Sequence, residues 1–479
     1  MRLVLLCLLP AVATAAALLA RAPRAGRWRV GLLVATAAAH LALTASLWVA
    51  PAAPAFDGWL AADALGSIVL TLTSILFFVA ATYAVGYLRR ETPRGGRLFA
   101  GGLLGFLTAT TVVALSQHLA MMWVGMEATT LAVAPLIFHR HDRRSLEAVW
   151  KYLLISSVGI ALALLGIFFL AAAQHDAGGA PLVLGDLLAH AGELQPAWLR
   201  AAFLFLVVGF GTKMGLAPMH TWKPDTYGEA PALVGGLMAG ALTGCAFLGV
   251  ARITSVTVAA GLGPFVQPVL LGFGLLSLTV AAAFIIGQRD VKRLLAYSSV
   301  EHMGLLVLGL GLGGVGAYGA ALHLVNNGLA KGWLFLVAGN VVLATGTSAA
   351  ADTRGLVRTL PVSGTLLVLG LFAITGSPPF GLFLSEFTIL RAAVAGGHGW
   401  IALAVLLLLA IIFVGMASLL LGMALGEPAP GTPIVRESAW LVAGPMALAA
   451  IVLLLGVYIP APLHAALARA AAALGGSAP

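Results

Sequence analysis

A few ionisable side chains lie where a strongly apolar sequence has no routine use for them. Lys213 is set in GFGTKMGLAPMHTW, Glu127 in HLAMMWVGMEATTLAVAPLIF, and Glu301 with His302 in LLAYSSVEHMGLLVLGL. Lys331 is set in GAALHLVNNGLAKGWLFLVAG, and Glu386 follows SPPFGLFLSEF at its proline pair. The chemistry such groups can share is proton exchange. Of the 26 cationic residues only five are lysine (Lys151, Lys213, Lys223, Lys292, Lys331), so 26 − 5 = 21 are arginine, which carries the ordinary positive charge of this chain. Arginine keeps its proton under all conditions, whereas a lysine deprived of water can release it, so the two lysines deep in apolar runs, Lys213 and Lys331, read as placed to titrate. His323, Asn327 and Lys331 are spaced four apart and stack on one helix face, as the wall of a wet path would. Glu301 and His302 form a shorter stripe with Ser298 and read either as pathway or as packing near the cytoplasmic edge.

The elements that must hold these groups are membrane helices. The chain has 479 residues, 61% hydrophobic and only 9% charged, far from the balance of a soluble domain. Apolar runs of about 18 to 28 residues recur from end to end, each long enough for a hydrocarbon core about 30 Å thick. They predict an all-α polytopic membrane protein with fourteen spans, centred near residues 11, 40, 75, 107, 128, 162, 209, 241, 276, 303, 330, 375, 412 and 450. The first run lacks a convincing cleavage site and is taken as a span rather than a signal peptide. Cationic clusters in RAPRAGRWR (21–29), RRETPRGGR (89–97), HRHDRRSLEAVWK (139–151) and QRDVKR (288–293) fall in alternate loops. The intervening loops hold Asp57, Asp176, Asp186 and Glu193, which puts the basic loops in the cytoplasm and both termini outside. This loop bias accounts for the net charge of +9 without nucleic acid. Cys7 and Cys245 lie in apolar runs and indicate neither a disulfide nor a metal site.

An ionised group at mid-bilayer costs about 2.5 to 3.5 kcal/mol, so five left unpaired would cost on the order of 15 kcal/mol. They must pair or line a wet cavity. Pro218 follows Lys213 by five residues, and Pro378-Pro379 precede Glu386 by eight and seven. Proline opens the helix at both places, and broken spans in two halves point to a transport site. The breaks are about 160 residues, or five spans, apart, an odd number, so two copies would insert in opposite senses. The expected organisation is spans one to three (1–97), an inverted pair of five-helix repeats (98–250 and 265–426), and a last span with a short tail (427–479).

The stretches WVGMEATTLA, GTKMGLAPMHTWKPDTYGEAP, DVKRLLAYSSVEHMGLL, HLVNNGLAKGWLFLVAGN and SPPFGLFLSEF resemble the antiporter-like subunits of respiratory complex I, multi-subunit cation/proton antiporters and membrane-bound hydrogenases. Within these, KPDTYGEAP and VEHMG look most like the F component of hydrogenase-4 and related formate hydrogenlyase complexes. The resemblance implies that Glu127 and Lys213 are the coupled acid and base of a first half-channel, Lys331 the central relay and Glu386 the exit group of a second. It adds Lys151 as a further family lysine, which could equally snorkel from a span end. It also implies no cofactor on this chain, other membrane and peripheral subunits of a redox complex as partners, and a bacterial inner membrane as location. Two departures stand out: the eighth span, LVGGLMAGALTGCAFLGVA, has no titratable side chain where many relatives place Lys or His, and Asn327 stands where histidine is frequent. A link through water near Thr243 is the expected substitute. His220, Lys223, Asp225 and Glu229 read as a solvated loop after the first break, with His220 best suited to proton uptake.

The expectation is therefore a proton-translocating subunit of a redox-driven complex. A sodium/proton antiporter subunit is the alternative, which sodium-dependent transport in proteoliposomes would single out. A purely structural anchor for a soluble oxidoreductase arm predicts instead that Lys213→Ala and Lys331→Ala leave proton movement intact. An integral membrane enzyme is weakest, since no nucleotide loop, nucleophile triad or metal cluster is visible, and His139 with His141 in HRHDRR reads as a basic loop rather than a metal site.

Overall fold

The computed structural model describes residues 1–20, 25–90, 96–174 and 181–474. Arg21, Arg24, Arg94 and Asp176, used above to orient the loops, lie outside the described residues. Twelve helical segments are long and apolar enough to cross a membrane. One of them, Ala232–Ile285, has 54 residues. At 1.5 Å per residue it would reach about 80 Å, more than two crossings of the hydrocarbon core. Gly261 breaks its helical path with φ 79°, leaving residues 232–257 and 263–285 as the eighth and ninth spans. The twelfth span is the split pair Pro361–Ile374 and Gly381–Ala395, each half too short to cross alone. With that long segment counted twice and the split pair added, the twelve become the fourteen spans expected.

Membrane helices bury polar groups against each other and show apolar ones to lipid, and this chain does both. Leu131, Phe168, Leu403 and Val414 are exposed, while Lys213, Glu301, His302, His323 and Lys331 are buried. The eleventh span, Gly314–Thr345, is an unbroken helix of 32 residues at the centre of the bundle, packed against the third, eighth, tenth, twelfth and fourteenth spans. It is thus the element most able to carry a continuous polar face.

Scarce loop acids act as caps. Asp142 accepts the Ser145 N–H at the start of the sixth span, Arg143–Ala173, and that bond, with nearby arginines, holds its carboxyl below the usual carboxylate range. Asp290 accepts the N–H groups of Lys292 and Arg293 at the start of the tenth span, Val291–Leu312. The short tail is helical: the fourteenth span, Ala439–Val457, is followed by a helix, Ala461–Ala473, that lies against the third and eleventh spans. Its His464 Nδ1 meets the Tyr318 hydroxyl at 2.7 Å. Small alanines at Ala466, Ala470 and Ala471 give that helix its buried face, a pattern too short and weakly apolar to register as a span.

Candidate functional site

Lys213 lies in the last turn of the seventh span's first half, Pro196–Met214, where the negative end of the helix dipole favours a cation. Gly215 stops that helix in the left-handed region, φ 82° and ψ 42°. The backbone freed by the break is satisfied by side chains. Ala217 N–H donates to Ser277 Oγ at 3.0 Å, and Trp222 Nε1 donates to the Thr212 carbonyl at 2.9 Å. Lys213 is fully buried, and its Nζ donates to Thr130 Oγ1 at 2.7 Å and to the Tyr152 hydroxyl at 2.9 Å. Thr130 in turn donates to Glu127 Oε2 at 3.1 Å. Acid and base of the first half are therefore joined through a neutral hydroxyl rather than by direct contact.

Beyond the break the chain does not run as a solvated loop. It forms a helix, Trp222–Glu229, because the C-terminal carbonyls of that short element are capped: buried Lys292 donates from Nζ to the Gly228 and Ala230 carbonyls at 2.6 and 2.7 Å. Lys223 is fully buried on this helix, its stem against Gly215 and its Nζ 5.8 Å from the Tyr227 ring centre. Asp225 stays half-buried at the rim, where it pairs with Lys151 at 2.7 Å and Arg293 at 3.0 Å. Lys151 also pairs with Glu147 at 2.6 Å and is 43% exposed, so it belongs to a surface ion-pair network and not to the buried row. His220 is buried but bonded to no other ionisable group among the described residues; its ring lies 6.3 Å from Tyr297 and 6.4 Å from Phe284.

In the second half, Lys331 is fully buried and its Nζ donates to the Leu295 carbonyl at 3.0 Å. Glu301 and His302 are not at an edge: they are 1% and 0% exposed, since residues 294–310 of the tenth span are enclosed by its neighbours. Glu301 lies within electrostatic reach of Lys331. Ser385 Oγ donates to the Leu382 carbonyl, so it accepts from His323 Nδ1 at 2.9 Å. His323 Nε2 lies 3.1 Å from His302 Nδ1, one ring donating to the other. Glu386 completes this cluster, with its carboxylate against Gly376, another break glycine of left-handed backbone (φ 64°). Asn326 Nδ2 donates to the Gly381 carbonyl at 2.9 Å and so satisfies backbone at the second break. His302, His323 and Glu386 offer atoms all within 4.8 Å of one another, a donor set of zinc-ligand types. The facing ring nitrogens of His302 and His323 are engaged with each other at 3.1 Å.

The stretch 233–251 of the eighth span has no Lys, His, Arg, Asp or Glu, and the face it turns to the eleventh span leaves little room for one. It is pressed backbone to backbone on the eleventh: a Cβ added at Gly236 would lie 3.4 Å from Gly332 Cα, and one at Gly240 3.1 Å from the Gly328 carbonyl oxygen. A long side chain has no room there. Thr243 donates from its hydroxyl to the Ala239 carbonyl of its own helix at 2.6 Å, which leaves the oxygen's lone pairs to accept. His139, read as part of a basic loop, is buried with its ring 5.2 Å from that of Phe99.

A buried cation paired with a carboxylate is here an arginine: Arg252 binds the half-buried Asp63 at 2.8 Å and donates to the Ser116 carbonyl. Lys213, Lys223 and Lys331 make no salt bridge to a carboxylate among the described residues. Lys223 Nζ, the Tyr227 hydroxyl, Glu301 Oε2, His302 Nε2, Asn327 Oδ1 and Glu386 Oε1 are buried with no hydrogen-bond partner among the described residues. Thr130, Tyr152, Tyr227 and Ser385 have no place in the sequence analysis, and Lys223 enters it only as part of a solvated loop. Glu127 with Thr130 and Lys223 with Tyr227 are nevertheless helix neighbours by spacing, three and four apart, a signal available in advance.

A profile described as NADH:quinone oxidoreductase/Mrp antiporter, TM matches residues 116–412, and the chain belongs to this family of membrane proteins. It is 34% identical over 343 residues to the hydrogenase-4 component F homolog of Methylacidiphilum infernorum (isolate V4), covering 70% of this chain and 72% of the relative. It is also 34% identical over 356 residues to NADH-quinone oxidoreductase subunit N of Desulforudis audaxviator (strain MP104C), covering 72% and 68%. A chain of respiratory complex I from Thermus thermophilus with bound NADH shares the fold at a TM-score of 0.84 and 26% identity, over 99% of this chain and all of that one (100%).

Proposed function

We propose that this chain translocates protons as an antiporter-like membrane subunit of a redox-driven complex, hydrogenase-4-like in type. Protons pass from Glu127 and Lys213 to Lys331 and on through Glu301, His302, His323 and Glu386. The observation that carries this reading is the row of buried lysines held by neutral hydroxyls and carbonyls instead of carboxylates. A static ion pair would bring the charges into contact; a titrating amine needs neutral partners that accept either state. The unpartnered polar atoms along the row support the same reading, since buried polar groups otherwise find partners, and water molecules and passing protons would supply them here.

Charge on one member drives the next. Unit charges 4 Å apart interact by about 4 kcal/mol at an effective dielectric of 20, near three powers of ten in proton affinity. Such coupling works by side-chain rotation and hydration, without domain movement. We place the halves in the inverted repeats 98–250 and 265–426, the basic loops in the bacterial cytoplasm and both chain ends outside. Electron carriers belong to partner subunits, and partner membrane subunits flank Glu127, the half-buried member of the row.

Lys213→Ala in the intact complex, reconstituted in proteoliposomes, tests this directly. Electron transfer should no longer move protons while the complex still assembles. Undiminished proton movement would leave the structural-anchor reading, and transport that requires sodium would leave the sodium/proton one.

A further inference from the structure

With the face of the eighth span at Gly236 and Gly240 closed to a long side chain, the two halves need another link, and the post-break helix Trp222–Glu229 provides one. We infer that Lys223 is the proton relay between Lys213 and Lys331, an inference that rests on the proton-translocation reading above. Its side chain is fully buried and its Nζ has no hydrogen-bond partner among the described residues. A surface lysine would snorkel to solvent, as Lys151 does; Lys223 instead turns inward from a helix whose other charged members, Asp225 and Glu229, stay at the rim.

Its neighbours on both sides are the right ones. Toward Lys213, the Tyr152 hydroxyl accepts from Lys213 Nζ at 2.9 Å. Tyr152 and Tyr227 lie within electrostatic reach of each other, both flanking Trp222, and Lys223 sits over the Tyr227 ring. Toward the second half, Lys223 lies within electrostatic reach of Lys331 and of His302. The transfer is simple in balance. The Lys213 ammonium gives one proton, through the Tyr152 hydroxyl, to the neutral Lys223 amine, which becomes the ammonium; Lys223 then gives that proton to the Lys331 amine and returns to neutral. Reprotonation of Lys213 then places a second cation on the row, and repulsion between it and the Lys223 ammonium drives the second step.

The two breaks argue independently for this role. At each, a left-handed glycine leaves room for one ionisable side chain from the helix that follows: Gly215 for Lys223, and Gly376 for Glu386. A Cβ at either glycine would overlap that side chain. Lys223 thus occupies in the first broken span the place that Glu386 occupies in the second.

The test uses the intact complex in proteoliposomes with three variants, read as protons moved per electron. Lys223→Arg keeps the charge and cannot release it, Lys223→Leu removes the charge, and Lys223→His keeps a titratable nitrogen. Expected are at least a tenfold loss for Arg and Leu and partial recovery for His. Wild-type pumping by the Arg or Leu variant would overturn the relay, as would Arg outperforming His, the mark of a structural cation. Should Leu fail to assemble, the Arg and His pair decides alone. Lys213→Ala is measured alongside: if it abolishes pumping while Lys223→Arg does not, the relay falls and proton translocation stands; if neither does, the translocation reading has failed.

Discussion

Thr130→Val isolates the bridge between Glu127 and Lys213. Valine keeps the branched shape of threonine, so packing in the fifth span is retained while two hydrogen bonds go: Lys213 Nζ to Thr130 at 2.7 Å and Thr130 to Glu127 at 3.1 Å. A hydrogen bond to a charged group contributes about 1.5 to 3 kcal/mol. Lys213 keeps its bond to the Tyr152 hydroxyl. It also keeps the through-space pull of Glu127: the two lengths bound the separation at about 6 Å, where unit charges attract by about 3 kcal/mol at an effective dielectric of 20. The loss is therefore that of the bridge, and coupled proton movement should slow about ten- to a hundredfold without vanishing. The assay is the initial rate of proton movement per electron in proteoliposomes of the intact complex, with Thr130→Ser as rescue. In a Glu127→Gln background the same change should cost less, because the charge-assisted half of the bridge is already gone, and a double-mutant cycle reads that difference. Wild-type rates in Thr130→Val, or a serine variant no better than valine, would refute the bridging role.

Other consequences are equally direct. Lys331→Arg preserves charge at the centre of the bundle but cannot give up a proton, so assembly measured by co-purification should persist while proton movement drops at least tenfold. Gly376→Ala combines a left-handed backbone with a Cβ that meets the Glu386 carboxylate, and should lower assembled complex by more than Gly261→Ala, whose added carbon meets nothing within 4 Å despite a similar φ of 79°. Native gel quantification compares the two.

Much of this protein is legible from local rules. Hydropathy marks fourteen spans because each helix must satisfy its own backbone in lipid wherever it sits, and the penalty for an ionised group in lipid singles out Glu127, Lys213, Lys331 and Glu386 without knowledge of neighbours. Prolines mark the breaks for the same reason, since the lost hydrogen bond and clash are properties of the residue itself. The tail helix and the burial of Glu301 and His302 were not legible, because enclosure depends on which spans pack around them.

What the sequence by itself determined is therefore the inventory: how many helices, where they break, and which side chains lipid cannot tolerate. Tertiary structure alone decided the wiring. Thr130 and Lys213 are 83 residues apart and meet only because the fifth and seventh spans pack near the sixth. Direction after a break is likewise invisible in one dimension. A helix restarted beyond a proline can face any way about its axis, and only the capping of its end by Lys292 and its packing among neighbours turn Lys223 inward and leave Asp225 at the rim. Composition sets the cost of a charge in oil; only the folded neighbours set where that charge can go.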